Sequence, residues 1–107
     1  MLSVVIPFKN GLNLLEKSVN SICSNVKFNL EIIIVLNNSK YSLKNVRDKL
    51  ERFSTSLKIF ELSNGGANMA RYFGVKKSTH NNILFSDSDD IYLPGSINFL
   101  HNGRCAI

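Results

Sequence analysis

Four short apolar runs alternate with amphipathic segments along the chain. The runs cover residues 2–8, 30–36, 57–62 and 82–86, and each leads into a polar or glycine-containing stretch. The first two runs are apolar at nearly every position, which is typical of strands buried on both faces of a parallel sheet. The sequence therefore predicts four buried strands.

The segments between the runs, residues 13–23, 42–53 and 67–78, have apolar residues at helical spacing. Asn13 and Glu16 resemble a capping box at the start of the first predicted helix. The alternating order of strands and helices predicts one α/β domain over residues 1–107, a Rossmann-like open parallel sheet with helices on both faces. The inward helical positions are Leu15, Val19 and Ile22, then Leu43, Val46, Leu50 and Phe53, then Ala70, Phe73 and Gly74.

Composition suits a small globular domain, with 44% hydrophobic and 20% charged residues among 107. The net charge of +5 indicates either an anionic partner or a solvated basic face. Basic residues gather on and around the second predicted helix, but no aromatics interleave with them and no nucleic-acid motif appears. A nucleic-acid partner is therefore not favoured, while peripheral membrane contact stays open. These residues are Lys40, Lys44, Arg47, Lys49, Arg52 and Lys58.

The location expected from the sequence is the cytoplasm. Cys23 and Cys105 are too few for a disulfide framework, and Cys23 falls in an apolar helical pattern. The apolar run at the N-terminus is short and has no basic leader, and no stretch approaches the roughly 18 apolar residues of a membrane span.

Open parallel sheets bind ligands at the carboxyl ends of their strands. The last predicted strand ends at Asp87, Asp89 and Asp90. In an extended segment Asp87 and Asp89 point the same way, and neighbouring carboxylates repel unless a cation lies between them. Oxygen ligands suit Mg²⁺ or Mn²⁺. An acidic turn that caps the next helix is the alternative, and residue types alone leave both open.

A second candidate feature follows the third predicted strand. Gly65 and Gly66 immediately precede a predicted helix, whose N-terminus would favour an anion. Arg71 lies about one turn into that helix, within reach of a phosphate or a base edge. The segment is neither a Walker A loop nor a dinucleotide fingerprint, and a glycine pair before a helix is usually only a turn.

Four stretches, in this order along the chain, resemble the motifs of a known protein family: "LSVVIPFKN", "EIIIVLNNS", "NGGANMARYFG" and "ILFSDSDDIYLP". The first resembles a strand ending in Pro-x-x-Asn, and the second a strand usually ending Val-Asp-Asp-Gly-Ser. The third resembles an Asn-x-Gly-x-x-x-Ala-Arg-Asn-x-Gly stretch. The fourth resembles an Asp-x-Asp-Asp metal motif followed by proline. Together they are similar to the N-terminal half of family 2 glycosyltransferases with the GT-A fold.

The resemblance implies a nucleotide-diphosphate sugar donor, most often a UDP-sugar, bound with Mg²⁺ or Mn²⁺, and a carbohydrate or lipid-linked acceptor of surface polysaccharide synthesis. It implies metal binding by Asp89 and Asp87, the latter also near the sugar or ribose, with Asp90 nearby. The remaining implied nucleotide-sugar-binding residues are Pro7, Lys9, Asn37, Gly66 and Arg71.

Three residues depart from the family pattern. Leu36 and Asn37 stand where the family has two aspartates, and Lys9 stands where an aromatic side chain often stacks on the base. The side-chain amide of Asn37 can both donate and accept hydrogen bonds, so the sequence does not decide which nucleotide base is preferred. We expect Leu36 simply to pack.

The family's acceptor half, with its general base, follows the metal motif. Residues 91–107 contain no Asp or Glu, and His101 qualifies as a base by residue type alone. We therefore expect a general base beyond Ile107 and no transfer by this chain alone. The alternatives are a non-catalytic nucleotide-sugar-binding module or an inactive truncated product, with a basic nucleic-acid-binding domain less favoured.

Overall fold

The computed structural model describes residues 2–25, 30–62 and 66–93. Predictions that involve Asn64, Gly65, Pro94, His101 and Cys105 lie outside these residues. The elements follow the predicted alternation of strands and helices. They are β1 (Leu2–Phe8), α1 (Leu12–Asn25), β2 (Leu30–Asn37), α2 (Leu43–Lys49), a 3₁₀ helix (Glu51–Ser56), β3 (Leu57–Leu62), α3 (Ala67–Lys77) and β4 (Ile83–Phe85).

The four strands form one parallel sheet in the order β3-β2-β1-β4. Val5 of β1 lies opposite Ile33 of β2 on one side and Phe85 of β4 on the other. The chain first builds outward from β1 to β3 and then crosses back to place β4 beside β1. The strand order therefore switches at β1, where such sheets form a crevice for ligands. The predicted α/β fold is confirmed.

Alternate residues of β1 face opposite layers of the molecule. Val4 and Ile6 pack with α1 and α2, while Val5 packs under α3 with Ala70. Most of these side chains are fully buried, as the continuous apolar runs predict. The inward positions predicted for the three helices all belong to these two clusters or, for Gly74, lie directly against Val5.

Gly74 lets α3 approach the sheet closely. A Cβ atom at this position would lie closer to Cγ1 of Val5 than real Cβ contacts allow. The absence of a side chain thus sets the distance between α3 and β1, and so places the N-terminal end of α3 relative to the end of the strand.

Two local predictions are wrong. Asn13 does not cap α1, because the helix begins at Leu12, and Gly11 makes the preceding turn with a φ of +87°. Glu16 instead pairs with Arg52 at 3.1 Å and with Lys49 at 3.6 Å. The second helix ends at Lys49 and continues as a 3₁₀ helix, so residues 42–53 are not one α-helix.

A buried carboxylate joins the strands at the end of the sheet opposite the crevice. Glu31 is 5% exposed and accepts hydrogen bonds from Ser3 Oγ at 2.7 Å and from the backbone N–H of Thr79 at 2.9 Å. Thr79 Oγ1 donates to its other oxygen at 3.1 Å, and Lys58 forms an ion pair with it. Burial disfavours the charged carboxylate, but these donors outweigh it and lower the pKa of Glu31 to about 2.

Candidate nucleotide-sugar site

A cleft of about 540 Å³ lies at the carboxyl ends of β1, β2 and β4. Its lining comes from four separate stretches of sequence that the parallel sheet brings together. Six of the seven predicted site residues line it: Pro7, Lys9, Asn37, Gly66, Arg71 and Asp87. The seventh, Asp89, lies in the turn that begins at Asp87.

The end of β2 contributes one buried and one cleft-facing side chain. Leu36 is fully buried in the core with Phe8, as expected, and the next residue, Asn37, points to the opposite side of the strand. The Oδ1 atom of Asn37 is buried and has no hydrogen-bond partner among the described residues. A buried acceptor without a partner is costly, so a ligand N–H group in the cleft would be a favourable partner for it.

The loop after β2 is fixed by its backbone and by a serine. Asn38 has a φ of +53°, in the left-handed region that asparagine tolerates better than most residues. Ser39 Oγ donates to the backbone carbonyl of Lys9 at 2.8 Å and accepts from the N–H of Tyr41 at 3.1 Å. This hydrogen bond joins the segments that follow β1 and β2, and so holds two walls of the cleft together.

Residues Asp87 to Asp90 form a closed turn, which corrects the expectation of an extended segment. The N–H of Asp90 donates to the carbonyl of Asp87 at 3.1 Å, and the N–H of Asp87 donates to Oδ2 of Asp90 at 3.1 Å. The three carboxylates are thus brought together by the turn and not by strand alternation. We call residues 87–90 the acidic turn.

The acidic turn groups three carboxylates, whose oxygen atoms are the kind of ligand that suits a divalent cation. One oxygen from each of Asp87, Asp89 and Asp90 lies within 4.8 Å of the others, and all three residues are exposed. Oxygens about 2.1 Å from an octahedral Mg²⁺ are about 4.2 Å apart on opposite sides of the ion and about 3 Å apart at adjacent positions, so the three carboxylates would have to draw closer to share one ion. Asp89 makes no hydrogen bond or ion pair with the described residues, which leaves its carboxylate available.

Arg71 approaches the acidic turn from α3. Its guanidinium lies 3.6 Å from Oδ1 of Asp87 and also donates to Asn68 at 3.3 Å. Gly66, the N-cap of α3, provides no side-chain cap for the helix and lines the cleft. A positive side chain and an uncapped helix N-terminus therefore lie on the same side of the cleft, which suits an anionic ligand.

Tyr92 and Ser86 flank the acidic turn. Tyr92 donates its hydroxyl to Ser86 Oγ at 3.0 Å, and its backbone N–H donates to Ser21 Oγ of α1 at 3.0 Å. Burial raises the pKa of the Tyr92 phenol, against the hydrogen bond to Ser86, and the carboxylates of Asp90 and Asp87 raise it further. The hydroxyl is therefore kept protonated and able to donate.

The basic residues around α2 are largely paired with acids. Lys44 forms an ion pair with Asp48 at 2.9 Å, and Lys58 forms one with Glu31. Lys49 and Arg52 both form ion pairs with Glu16. Glu16 is shared by two of these bases, and Lys40 and Arg47 form no ion pair with the described residues, so this face keeps part of its positive charge.

Among the residues that the structure describes, no helix has the length and apolar character needed to cross a membrane.

The open parallel sheet, with its polar cleft at the strand ends, defines a ligand-binding α/β domain of the Rossmann-like class. Residues 3–100 match the family model described as glycosyl transferase family 2. The chain belongs to this family, and its resemblance to family 2 glycosyltransferases is confirmed.

One curated relative is the GalNAc(5)-diNAcBac-PP-undecaprenol beta-1,3-glucosyltransferase of Campylobacter jejuni. It is 33% identical over 101 residues, which cover 92% of this chain and 33% of that protein. The chain spans a third or less of the length of the curated relatives it matches, down to 13%.

Solved structures that share the fold include two with nucleotide sugars bound. S. aureus TarS in complex with UDP-GlcNAc superposes with a TM-score of 0.75 and 24% identity over 94% of this chain and 30% of that one. The mannosyltransferase PcManGT from Pyrobaculum calidifontis, in complex with GDP-Man and Mn²⁺, superposes with a TM-score of 0.76 and 17% identity. The match covers 88% of this chain and 29% of that one. At these identities the likeness establishes the GT-A fold.

Sequence reasoning missed several residues of the site. Phe8, Asn10, Asn38 and Ser88 also line the cleft. Phe8 is the last residue of β1, and the other three belong to segments that directly follow strands, so their position at the carboxyl ends of the strands could have identified them. Tyr92 was missed because its hydrogen bond to Ser86 depends on how the chain turns between these residues, and no local pattern in the sequence reports this.

Proposed function

We propose that this chain is the donor-binding part of a glycosyltransferase that takes a nucleotide-diphosphate sugar, with a UDP-sugar as the preferred class. The observation that carries the proposal is the convergence of Pro7, Lys9, Asn37, Arg71 and Asp87 on one cleft beside an exposed acidic turn. A nucleotide offers base N–H groups for an unpaired amide oxygen and phosphates for a guanidinium.

In this proposal the base lies against Pro7 and Lys9, with an N–H directed to Asn37 Oδ1. Arg71 contacts the nucleotide from the α3 side of the cleft. The preference for uracil is supported by the resemblance and by the fold's occurrence with UDP-GlcNAc in TarS. PcManGT holds GDP-Man with the same fold, so guanosine nucleotides are the necessary comparison in any binding experiment.

The residues present fit a divalent metal, and we assign it to Asp89 and Asp87. Asp89 is exposed and unpaired among the described residues, and Asp87 is shared with Arg71. A bound Mg²⁺ or Mn²⁺ would supply neutralisation of the diphosphate charge. The occurrence of Mn²⁺ with the same fold in PcManGT supports this assignment.

We further propose a carbohydrate or lipid-linked acceptor and a cytoplasmic location at the inner face of the membrane. The name of the Campylobacter jejuni relative, which specifies an undecaprenol-linked acceptor, supports this. Transfer also needs a base within hydrogen-bond reach of the acceptor hydroxyl. Among the described residues, the carboxylates that line the cleft or adjoin it in the acidic turn are those assigned to the metal and to the turn, so we expect this chain to bind a donor without transferring the sugar.

The test is calorimetric titration of the chain with UDP and GDP, each with and without Mn²⁺. We expect UDP binding to strengthen at least about tenfold with Mn²⁺, and Asp89→Ala to abolish this gain by removing a metal ligand. Asp48→Ala is the matched control, because Asp48 is an exposed aspartate on α2 whose ion pair among the described residues is with Lys44.

UDP binding that is unchanged by Mn²⁺ would contradict the assigned site. An equal loss of UDP affinity in Asp89→Ala and Asp48→Ala would contradict it as well. Tighter binding of GDP than of UDP would instead overturn only the choice of base. Sugar transfer by the isolated chain from a UDP-sugar would overturn the expectation that it lacks a complete active site.

A further inference from the structure

We propose that Tyr92 is a positioning residue for the metal site, acting through Ser86 to fix the backbone of the acidic turn. The inference rests on the proposed metal-dependent donor binding. Tyr92 is not among the residues that line the cleft, and its hydroxyl donates to Ser86, the residue directly before the acidic turn.

The acidic turn has little anchoring of its own. Its three aspartates are exposed, and its internal hydrogen bonds close the turn without attaching it to the domain. Apart from the 3.6 Å contact between Asp87 and Arg71, attachment comes from the residues on either side. The position of the carboxylates relative to the sheet is therefore set by Ser86 and Tyr92.

Ser86 attaches the turn on its N-terminal side. It is 2% exposed, and its N–H donates to the carbonyl of Val5 at 3.0 Å, which extends the pairing of β4 with β1 by one residue. Its hydroxyl donates to the carbonyl of Asp87 at 3.3 Å, the same carbonyl that accepts the N–H of Asp90. Ser86 therefore holds the backbone of the turn from its first residue.

Tyr92 attaches the turn on its C-terminal side. Its ring packs partly buried against the core, and its N–H is held by Ser21 Oγ, which in turn donates to the carbonyl of Ser18 in α1. The Tyr92 hydroxyl then orients Ser86 Oγ by donating to it. A chain of hydrogen bonds thus runs from Tyr92 through Ser86 to the carbonyl of Asp87.

This arrangement resembles the outer-shell hydrogen bonds that orient metal ligands, whose loss typically weakens metal binding about 10- to 100-fold. Because Tyr92 acts through one neutral hydroxyl, we expect the lower end of that range. Tyr92→Phe removes the hydroxyl and keeps the ring, so the packing against the core is preserved.

The experiment is a titration of Mn²⁺ into each protein, following the signal of free Mn²⁺ by electron paramagnetic resonance, with and without UDP. We expect Tyr92→Phe to raise the Mn²⁺ Kd about tenfold, and Ser86→Ala to do the same. The double variant should lose no more than either single one, because both changes break the same chain of hydrogen bonds. Tyr72→Phe is the matched control, since Tyr72 is an exposed tyrosine on α3.

Thermal unfolding of each variant separates positioning from a general loss of stability. A lower Tm for Tyr92→Phe with an unchanged Mn²⁺ Kd would overturn the proposal, as would strictly additive losses in the double variant. If the wild-type chain itself fails to bind Mn²⁺, the proposed metal site and this inference both fall. If the wild type binds and Tyr92→Phe binds equally well, only the role of Tyr92 is refuted.

Discussion

Glu31 should make the stability of the domain depend on pH in a way that a single substitution reveals. The carboxylate is buried and takes donors from Ser3, Thr79 and Lys58, and its pKa is lowered from 4.5 to about 2. At about 1.4 kcal/mol for each pH unit, the charged form contributes about 3 kcal/mol to the free energy of unfolding.

The direction follows from the lowered pKa. Above a pH of 4.5, Glu31 is charged in both the folded and the unfolded chain, and the full contribution is present. As the pH falls from 4.5 to about 2, the unfolded chain takes up a proton before the folded one, so the contribution is lost. Glu31→Gln should therefore destabilise the domain by about 3 kcal/mol at neutral pH and progressively less below a pH of about 4.5.

The measurement is urea unfolding of both proteins from neutral pH to about pH 2, comparing the difference between their free energies at each pH. Asp48→Asn is the control, because the exposed pair of Lys44 and Asp48 should be worth no more than about 0.5 kcal/mol. A difference between wild type and Glu31→Gln that stays constant with pH would refute the reasoning, since it would reflect lost packing and not lost charge.

Two further substitutions test the backbone of the fold. Gly74→Ala should destabilise the domain by about 1–3 kcal/mol through the clash with Val5, as measured by urea unfolding. Most of that cost should disappear in a Val5→Ala background, and equal costs in both backgrounds would show that the close approach is not the cause. Asn38→Val should cost about 1–2 kcal/mol because a β-branched residue resists a φ of +53°, whereas Asn38→Gly should unfold at nearly the wild-type urea concentration. Equal stability of the two Asn38 variants would contradict this.

The fold could be predicted from the sequence because each strand and each helix shows the hydrophobic pattern expected from its own burial. Strands buried on both faces are apolar throughout, and helices packed on one side repeat their apolar residues every three or four positions. The position of the cleft then followed from the alternation of strands and helices, because parallel strands place their carboxyl ends at one edge.

Side-chain hydrogen bonds across the fold could not be predicted in this way. In the sequence, Glu31 is a single acid near the start of an apolar run, and its partners come from β1, from β3 and from the segment after α3. The bond from the Asp87 N–H to Asp90 turned an expected extended segment into a closed turn. Both outcomes depend on contacts between chemical groups that the hydrophobic pattern does not describe.

Carboxylate groups at the two ends of the sheet have opposite roles. At the amino end, Glu31 is buried and its oxygens are taken up by four donor groups, so it adds stability and has little capacity left for a ligand. At the carboxyl end, Asp89 is exposed and has no partner among the described residues. Mutual repulsion between neighbouring carboxylates favours a cation there and does not favour folding. Substitution at Glu31 should therefore lower stability, whereas substitution at Asp89 should lower metal-dependent UDP binding with stability unchanged or slightly raised.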